Sequence, residues 1–585
     1  MSASSTSDHY TLGLAFAGGH GTSGCIARNG HLVAAVNLER ILHLKYAWMG
    51  WSQVATDAMI DFAAKTPQGK ILEVEEYLPT LMNYLLDVAG IQFDDLDLVV
   101  YDRCSPATSR YRMEEVGNHP YLEETFKNVQ VLRCEHHVGH LAQAYYPSPF
   151  DESAVLSIDG GSWETLERLG GDFQSSAIGV GRGKTLEVLD ENIGNGINGK
   201  EYMRATMWMG FHLNEEGKTM GLAPYGTPDT YNKVRKRLKD RLKDGSPRPD
   251  KIDFPRDNFK KLMKKVKKNH RGDFHSKPVE DLAWAVQKRM EERILAAACR
   301  AHELTGLTRL CYSGGVALNS VANWKIIQET PIEEIFIYPN AGDCGLAAGY
   351  CLWGYHQTQD GPNDYVARND YLGRSYSHEE IETALDAESE RVSWKRIPKR
   401  SAGQSGETLE QVVASLMAEG KIIGWYHGAG EFGPRALGHR SIVCDPRTAE
   451  MKDVLNEKVK HREGYRPFAP AVLEEKCSEY FDIHLPSPFM LLVPEVHEDK
   501  RDVVPAITHV DGTARVQTTT REDNDCYHDL VEAFYELTGV PVILNTSFNL
   551  GGKPIVETPT HALECFLATH MDYLVLEEFL VEKVR

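Results

Sequence analysis

The sequence lacks the features of a secreted or membrane-bound protein. Its eleven cysteines are scattered, with no CxxC pair and no regular spacing. An odd number of scattered cysteines in a long chain predicts reduced thiols in a cytoplasmic protein. The first nine residues contain neither a basic nor an apolar region, so we expect no signal peptide. Because no apolar run approaches the length of a bilayer span, we also expect no membrane partner.

Positive charge is scarce in the chain as a whole. There are 64 Lys and Arg residues against 84 Asp and Glu residues, which gives a net charge of −20 and argues against a nucleic-acid partner. The exception is Lys233–Arg271, with 17 basic residues against 5 aspartates. Such a run is usually a solvated face, and attraction of an anionic substrate is the alternative.

The length predicts more than one domain. At 585 residues, with 42% apolar and 25% charged residues, the chain resembles an ordinary globular protein with two or more cores. The stretch 357–369 is polar and contains Gly361-Pro-Asn-Asp, which favours a linker. We therefore predict two α/β domains, 1–356 and 370–585.

The first domain contains two similar patterns of strand, glycine-rich turn and strand. One runs from Thr11 to Val36, with strands at 11–16 and 31–36, and the other from Ser153 to Val180. Two such hairpins suggest the duplicated halves of an actin-like, ATP-binding fold. Further on, a strand at 309–313 leads into Gly314-Gly315, where backbone N–H groups can receive a nucleotide phosphate or ribose.

A candidate metal site is the most specific feature of this domain. His136 and His140 are four residues apart and would project from one face of a helix. An isolated pair of this kind is more often a surface pair or a satisfied core pair. Asp159 and Asp343 favour a metal, because each follows a predicted strand and lies beside glycine. Imidazole and carboxylate together suit zinc, iron, copper or nickel.

The second domain is rich in cations and in polar turn residues. Its predicted strands include 421–425, 489–493 and 540–544, and Asn545-Thr-Ser547 follows the last of them. Guanidinium groups and such a turn suit a small phosphate or acyl phosphate. Any single arginine could instead be a salt-bridge partner within the fold. The candidate arginines are Arg435, Arg440, Arg462, Arg466 and Arg515.

Together these segments resemble the nodulation-type O-carbamoyltransferases, the family that also carbamoylates cephalosporin, aminoglycoside, aminocoumarin and ansamycin antibiotics. The resemblance covers almost the whole chain. One departure is His20-Gly-Thr-Ser23, where many members have His-Asp-x-Ser. The landmarks are His20, Lys45, His136-His137-xx-His140, Asp159-Gly160, Gly217-Lys-Thr-Met-Gly-Leu-Ala-Pro-Tyr-Gly226, Gly314-Gly-Val-Ala-x-Asn319, Gly342-Asp343, Gly433-Pro-Arg-Ala-Leu-Gly-x-Arg-Ser441, Arg466-Pro-Phe-Ala-Pro470, Asp511-Gly-Thr-Ala-Arg515 and Asn545-Thr-Ser-Phe-Asn549.

The resemblance implies an actin-like N-terminal domain and a YrdC-like C-terminal domain. The implied reaction uses carbamoyl phosphate and ATP to form carbamoyl-adenylate, whose carbamoyl group passes to the hydroxyl of a small-molecule natural product. Iron is implied as the metal, with zinc as the alternative and Mg²⁺ as a further ion for ATP. A homodimer is also favoured.

The resemblance assigns roles to individual residues. The metal ligands would be His136, His140, Asp159 and Asp343. The nucleotide would contact Lys218, Gly314, Gly315, Val316 and Asn319. Carbamoyl phosphate would contact Arg435, Arg440, Arg466, Arg515, Asn545 and Ser547. The residues expected to act in catalysis are His20, Lys45, Arg435 and Arg440.

Three other functions are to be weighed at this point. A hydrogenase-maturation carbamoyltransferase uses related domains, but it also carries an acylphosphatase and cysteine-rich zinc motifs that this chain lacks. A tRNA threonylcarbamoyl-type transferase has related domains, although the acidic balance of the chain argues against it. A non-catalytic actin-like ATP-binding protein would keep the glycine turns but would not need the histidine pair with two aspartates. The sequence does not identify the acceptor.

Overall fold

The computed structural model describes residues 8–17, 21–47, 49–50, 72–102, 120–162, 174–191, 199–212, 214–229, 275–397 and 406–584. The chain forms two compact units. The first comprises Met1–Glu39 and Tyr46–Ala367, and the second comprises Arg40–Lys45 and Arg368–Arg585. None of the described helices is both long and apolar enough to cross a membrane. His20 and Lys233–Arg271 lie outside the described residues.

The first unit contains two five-stranded sheets with the same topology. In the first sheet the order is β3-β2-β1-β6-β7, and in the second it is β10-β9-β8-β11-β12. The strands of the first sheet are β1 Tyr10–Ala17, β2 Gly21–Arg28, β3 His31–Asn37, β6 Leu98–Asp102 and β7 Gln130–Cys134. Those of the second are β8 Glu152–Ser162, β9 Gln174–Arg182, β10 Thr185–Asp190, β11 Arg309–Ser313 and β12 Glu334–Ile337. The short strands β4 Met49–Gly50 and β5 Leu72–Glu73 pair separately.

The strand pairings confirm the predicted duplication. In each sheet the first three strands are antiparallel, and the next two join parallel to the first strand. This repeated order is the actin-like arrangement. The first hairpin was predicted imperfectly, because the strand that returns from β1 is β2 and the segment 31–36 belongs to the third strand.

Helices cover these two sheets. The predicted helix 73–88 is observed as Val74–Ala89, and 277–303 as Lys277–Thr305. The longer helix begins with Pro278 near its N-terminus and ends at Gly306, which has a φ of 71° that glycine adopts at little cost. The other helices of the unit are Pro120–Thr125, His136–Tyr145, Gly199–Trp208, Glu216–Leu222, Ser320–Glu329 and Leu346–Thr358. The short helix Leu38–Leu42 begins in the first unit and ends in the segment Arg40–Lys45 of the second.

The second unit is built on one mixed eight-stranded sheet. Its order is β13-β20-β19-β14-β15-β18-β16-β17. Its strands are β13 Val392–Arg396, β14 Ile423–Tyr426, β15 Arg440–Cys444, β16 Ala469–Leu473, β17 Gln517–Thr519, β18 Val542–Ser547, β19 Tyr573–Leu576 and β20 Phe579–Lys583. Its helices are His378–Ala387, Leu409–Ala418, Glu450–Val454, Cys477–Tyr480, Asp525–Thr538 and Pro559–Leu567.

One predicted strand of this unit is wrong. The segment 489–493 is apolar, but it forms only an isolated bridge from Leu492 to Val516. The four side chains from Phe489 to Leu492 are nevertheless buried, so the apolar run indicates a core segment and not a strand. Length and hydrophobicity alone do not separate these two outcomes.

Candidate functional site

The four predicted metal ligands form one cluster in the first unit. One donor atom from each of His136, His140, Asp159 and Asp343 lies within 4.8 Å of the others. His140 Nε2 is 3.2 Å from Asp343 Oδ1, and His136 Nε2 is 3.6 Å from Asp159 Oδ2 and 3.8 Å from Asp343 Oδ1. Two ligands each about 2.1 Å from one ion are roughly 3.0–3.4 Å apart at octahedral or tetrahedral angles. The cluster is therefore close to the size that one transition-metal ion needs.

Neighbouring groups orient these ligands. Gln143 Oε1 lies 2.9 Å from His140 Nδ1, so this ring nitrogen carries the proton and Nε2 faces the cluster as an acceptor. Gly315 N–H donates to Asp159 Oδ1 at 2.9 Å, which leaves Oδ2 turned toward His136. Ligands held in this way need little reordering to receive an ion.

The local structure around Asp159 differs from the prediction. Asp159 lies inside β8, which continues to Ser162 after a register irregularity beyond Ile158, and does not precede the turn directly. Asp343 begins the single 3₁₀ turn Asp343–Gly345 before the helix Leu346–Thr358, as the glycine pattern suggested.

The neighbouring histidine has a different environment. His137 is only 3% exposed, and its Nδ1 lies 2.9 Å from Ser157 Oγ. It therefore packs into the sheet, away from the ligand set. Within the run of three histidines, the structure separates two candidate ligands from one core residue.

Some of the predicted nucleotide-binding residues lie next to the metal cluster, and others make hydrogen bonds or ion pairs within the protein. Gly314 has a φ of 91°, and an added Cβ would lie 2.1 Å from Ile158 O, so only glycine fits there. Asn319 caps the helix Ser320–Glu329 and exchanges two 3.0 Å hydrogen bonds with Gln287. Its side chain is thus already used within the protein. Lys218 pairs with Glu215 at 2.8 Å, and Val316 is buried beside the glycine pair.

One residue near the metal cluster was missed. Lys200 follows Gly199 at the start of the helix Gly199–Trp208, and an added Cβ on Gly199 would lie 3.4 Å from Gly160 N. The pKa of Lys200 falls to about 8, because burial and then the charge of Arg204 lower it and Asp159 only partly opposes them. No regular spacing links Lys200 to the histidine pair, so the sequence carries no signal for it.

A second cluster, here called the basic cluster, lies in the second unit. Burial, followed by the neighbouring Arg466, lowers the pKa of Arg435 to about 10. The pKa of Arg515 falls well below its usual value, through burial and then through the charges of Arg435, Arg462 and Arg466. The members of the basic cluster are Lys45, Arg435, Lys460, Arg462, Arg466 and Arg515.

Few anions compensate these cations. Neither Arg435 nor Arg515 has an ion pair or a hydrogen bond at Nε among the residues that the structure describes. Among the residues that the structure describes, the only ion pair of Arg466 is a long one of 3.8 Å with Glu463. Such a concentration of half-buried positive charge destabilises the empty site and favours a bound anion.

Lys460 belongs to this cluster and was not among the predicted site residues. It ends a π-helical turn, Leu455–Lys460, and His461 follows with a φ of 47°. This unusual backbone places Lys460 Nζ 2.9 Å from Asn549 Oδ1 and in contact with the carbonyl oxygen of Ser547. Burial lowers its pKa well below the usual value, and Arg462 and Arg466 lower it further.

Lys45 lies with the second unit although it is far from that unit in sequence. The segment Arg40–Lys45 belongs to the second unit, and the charge of Lys45 acts on Lys460. The structure therefore brings this predicted catalytic residue to the basic cluster.

Two of the residues predicted to bind carbamoyl phosphate make hydrogen bonds within the protein. The buried Arg440 donates through Nη1 to the carbonyl groups of His427, Gly428 and His439 and stacks 3.6 Å from the ring centre of Tyr426. Asn545 is 1% exposed and donates to Ala436 O and Gln517 Oε1. These hydrogen bonds hold both side chains in place within the protein, while Arg440 Nε and Asn545 Oδ1 are buried without a hydrogen bond among the described residues. Ser547 lies at the edge of the cluster and donates to Asn549 Oδ1 at 2.7 Å.

Comparison with known proteins agrees with this arrangement of two units. A family model described as the carbamoyltransferase N-terminus matches residues 63–352, and one described as the carbamoyltransferase C-terminus matches 414–583. The nodulation protein NolO of Bradyrhizobium diazoefficiens is 38% identical over 458 residues, which cover 77% of this chain and 78% of NolO. NolNO of Sinorhizobium fredii is 32% identical over 589 residues, which cover 96% of this chain and 79% of NolNO.

A third relative carries an activity in its name. The 3'-hydroxymethylcephem-O-carbamoyltransferase of Streptomyces clavuligerus is 31% identical over 59% of this chain and 60% of its own length. Among solved structures, full-length HypF in its phosphate- and nucleotide-bound form aligns with 61% of this chain and 47% of HypF, at 12% identity and a TM-score of 0.33. That overlap is weak, so the fold assignment rests on the sheet topology. The matches to both halves, and the relatives that cover most of the chain, show that this protein belongs to the carbamoyltransferase family.

Proposed function

We propose that this protein is an ATP-dependent O-carbamoyltransferase that moves the carbamoyl group of carbamoyl phosphate, through carbamoyl-adenylate, to a hydroxyl group of a small natural product. The observation that carries this proposal is the basic cluster, in which Arg435 and Arg515 are half-buried without a carboxylate partner among the described residues. A carbamoyltransferase needs an anion site of this kind for its donor.

Carbamoyl phosphate is the anion proposed for the basic cluster. Its phosphate group would be neutralised by Arg435, Arg466 and Arg515, while Lys460 holds the turn at Ser547 and Asn549. Formation of carbamoyl-adenylate consumes ATP and one water and releases phosphate and pyrophosphate. Lys45, which interacts with Lys460, is proposed to contact the same reacting anions. Arg440 and Asn545 are proposed to shape the site more than to bind the donor, because Arg440 Nη1 and Asn545 Nδ2 already donate to carbonyl groups of the protein.

The metal cluster of the first unit is proposed as the place of transfer. Its two imidazoles and two carboxylates are donors that iron and zinc both accept, and the family resemblance favours iron. A bound ion would supply Lewis acidity toward phosphate oxygens and the acceptor hydroxyl. The protein's own part is to hold His140 through Gln143 and Asp159 through Gly315, and to bring a nucleotide to the backbone at Gly314.

The acceptor is proposed to be a hydroxylated small molecule. The relatives include nodulation proteins and an enzyme named for a hydroxymethylcephem, which carries a hydroxyl group. A role in secondary metabolism and a cytoplasmic location, where ATP and carbamoyl phosphate are made, belong to this proposal.

Donor-side chemistry can be tested without knowing the acceptor. Purified protein incubated with ATP and carbamoyl phosphate should release pyrophosphate, and neither compound alone should suffice. Arg515→Ala should lose this reaction but should still carbamoylate an acceptor, such as a hydroxymethylcephem, from chemically supplied carbamoyl-adenylate. A His136→Ala/His140→Ala protein should fail to transfer from either donor. Absence of pyrophosphate release from the wild-type protein, with metal bound, would contradict the proposed function.

A further inference from the structure

The loop that carries Arg435 is closed by a single buried carboxylate. This loop connects β14 to β15, and Glu431 lies near its beginning. Glu431 Oε1 accepts three backbone N–H groups from beyond Arg435, those of Leu437 at 2.8 Å, His439 at 2.9 Å and Arg440 at 3.2 Å. The carboxylate therefore ties the two sides of the loop together, with Arg435 between them.

The side chains of Asp370 and Arg40 also hold the loop in position. Asp370 Oδ2 accepts the N–H of Gly433, and Asp370 O accepts the N–H of Phe432 at 2.9 Å. Arg40 donates to the carbonyl oxygen of Gly433 at 2.7 Å. Gly433 is thus held on both its N–H and its carbonyl group, two residues before Arg435.

The burial of the Glu431 carboxylate has a cost in stability, which a purely stabilising role would not explain. Glu431 is 3% exposed, and its second oxygen, Oε2, is buried without a hydrogen bond among the described residues. A buried polar oxygen that takes part in no hydrogen bond destabilises a fold. The Arg435 guanidinium also needs restraint, because it lies beside Arg466 and Arg515 and like charges repel it.

We propose that Glu431 is a positioning residue, which holds the loop so that the Arg435 guanidinium lies in the basic cluster before the anionic substrate arrives. Asp370 and Arg40 support it through Gly433. The inference rests on the proposed function in one respect, namely that carbamoyl phosphate is the anion bound there. An anion site organised in advance loses less binding free energy to reordering of its side chains.

Binding by the full-length protein tests this role. The dissociation constants of carbamoyl phosphate and of inorganic pyrophosphate are measured by calorimetry for the wild-type protein, Glu431→Ala, Arg435→Ala and the double variant. Glu431→Gln keeps an oxygen that can accept the three N–H groups. Asp445→Asn is the matched control, since Asp445 is also a buried carboxylate of this unit but bonds Arg447 outside the loop. Phenylglyoxal labelling of Arg435, followed by peptide mass spectrometry, reports its environment directly.

If Glu431 positions the Arg435 guanidinium, the affinities of the variants should follow a specific pattern. Glu431→Ala should weaken binding roughly tenfold to a hundredfold, as much as Arg435→Ala, and should add nothing further in the double variant. Glu431→Gln should remain within about threefold of the wild-type protein, and Asp445→Asn should bind normally. The labelling rate of Arg435 should change in Glu431→Ala but not in Asp445→Asn. If Glu431→Ala does not fold, Glu431→Asp, which withdraws the carboxylate by one methylene group, should show the same loss.

The opposite results would distinguish the positioning role of Glu431 from the proposed function. If Arg435→Ala loses binding while the Glu431 variants bind normally, or if the two losses simply add, the positioning role is overturned and the proposed function stands. If neither Arg435→Ala nor Glu431→Ala changes the affinity for carbamoyl phosphate, both the positioning role and this donor site are overturned.

Discussion

His140 Nε2 lies 3.2 Å from Asp343 Oδ1, although 203 positions separate the two residues in the sequence. His140 lies in the helix His136–Tyr145, and Asp343 lies in the turn just before the helix Leu346–Thr358. These two helices pack closely through glycine. An added Cβ on Gly349 would lie 2.2 Å from Gly139 O. Glycine in a helix interior costs about 1 kcal/mol relative to alanine. Here that cost permits the close approach that joins the two halves of the metal cluster.

The metal cluster predicts a selective loss of bound ion. His136→Ala/His140→Ala should remove iron or zinc from the purified protein, because two of the four donors disappear. His137→Ala is the control, since His137 faces Ser157 and should leave the metal content unchanged. Elemental analysis of the three proteins decides this. Full metal content in the double variant would exclude the cluster as the binding site.

Gly315 offers a test of how Asp159 is oriented. An added Cβ on Gly315 would lie 2.8 Å from Asp159 Oδ1 and would push the carboxylate away from His136. Gly315→Ala should therefore lower metal affinity by roughly tenfold or more, as changes behind the ligands of metal sites do. Gly217→Ala, whose Cβ would meet nothing within 4 Å, should have no effect. Competition with a chromogenic chelator measures both affinities, and equal affinities would show that the Gly315 contact is unimportant.

Replacement of two arginines of the second unit by alanine should affect different properties, donor binding for Arg515 and stability for Arg440. Arg515→Ala should weaken carbamoyl phosphate binding roughly tenfold to a hundredfold. It should not lower stability, because burial and neighbouring cations already disfavour the charged form of Arg515. Arg440→Ala should lower the free energy of unfolding by about 3 kcal/mol or more, since three buried carbonyl groups lose their donor. Calorimetry and urea unfolding distinguish the two effects. A stability loss in Arg515→Ala with unchanged binding would reverse the assignment.

The segment Arg40–Lys45 should make stability depend on pH. His43 and His561 stack with ring centres 4.2 Å apart. Burial, then His561, Lys553 and Arg40, lowers the pKa of His43 to about 4, whereas the unfolded chain has a value near 6.5. Between these values the unfolded state binds more protons, so stability is full above about pH 6.5 and falls as the pH drops toward 4.

The expected contribution of His43 is about 1–3 kcal/mol. His43→Asn removes the titrating ring at a position with a φ of 50°, which asparagine tolerates. Urea midpoints of the wild-type protein and of His43→Asn, measured at pH 7.5 and pH 5, should therefore show a smaller acid loss in the variant. Equal losses would mean that His43 does not titrate in this range.

The duplicated strand pattern and the His136–His140 spacing are local features, and the sequence was sufficient to predict them. Strand periodicity and glycine turns depend on neighbouring residues. For the same reason, the helices Val74–Ala89 and Lys277–Thr305 were predicted within a few residues of their ends. The apolar run 489–493 was misjudged, because burial without strand pairing gives the same local pattern.

By itself, the sequence determined the family, the α/β class and the four candidate metal ligands, because each depends on residue types in a fixed order. Only the tertiary structure decided which polar groups were already used. It showed that Arg440 and Asn545 donate hydrogen bonds within the protein, and it left Arg435 and Arg515 without ion pairs among the described residues. It also brought Lys45 and Lys460 to one cluster and Glu431 across the Arg435 loop. The physical reason is that hydrogen bonding and burial depend on contacts between residues distant in the chain, and residue spacing does not encode them.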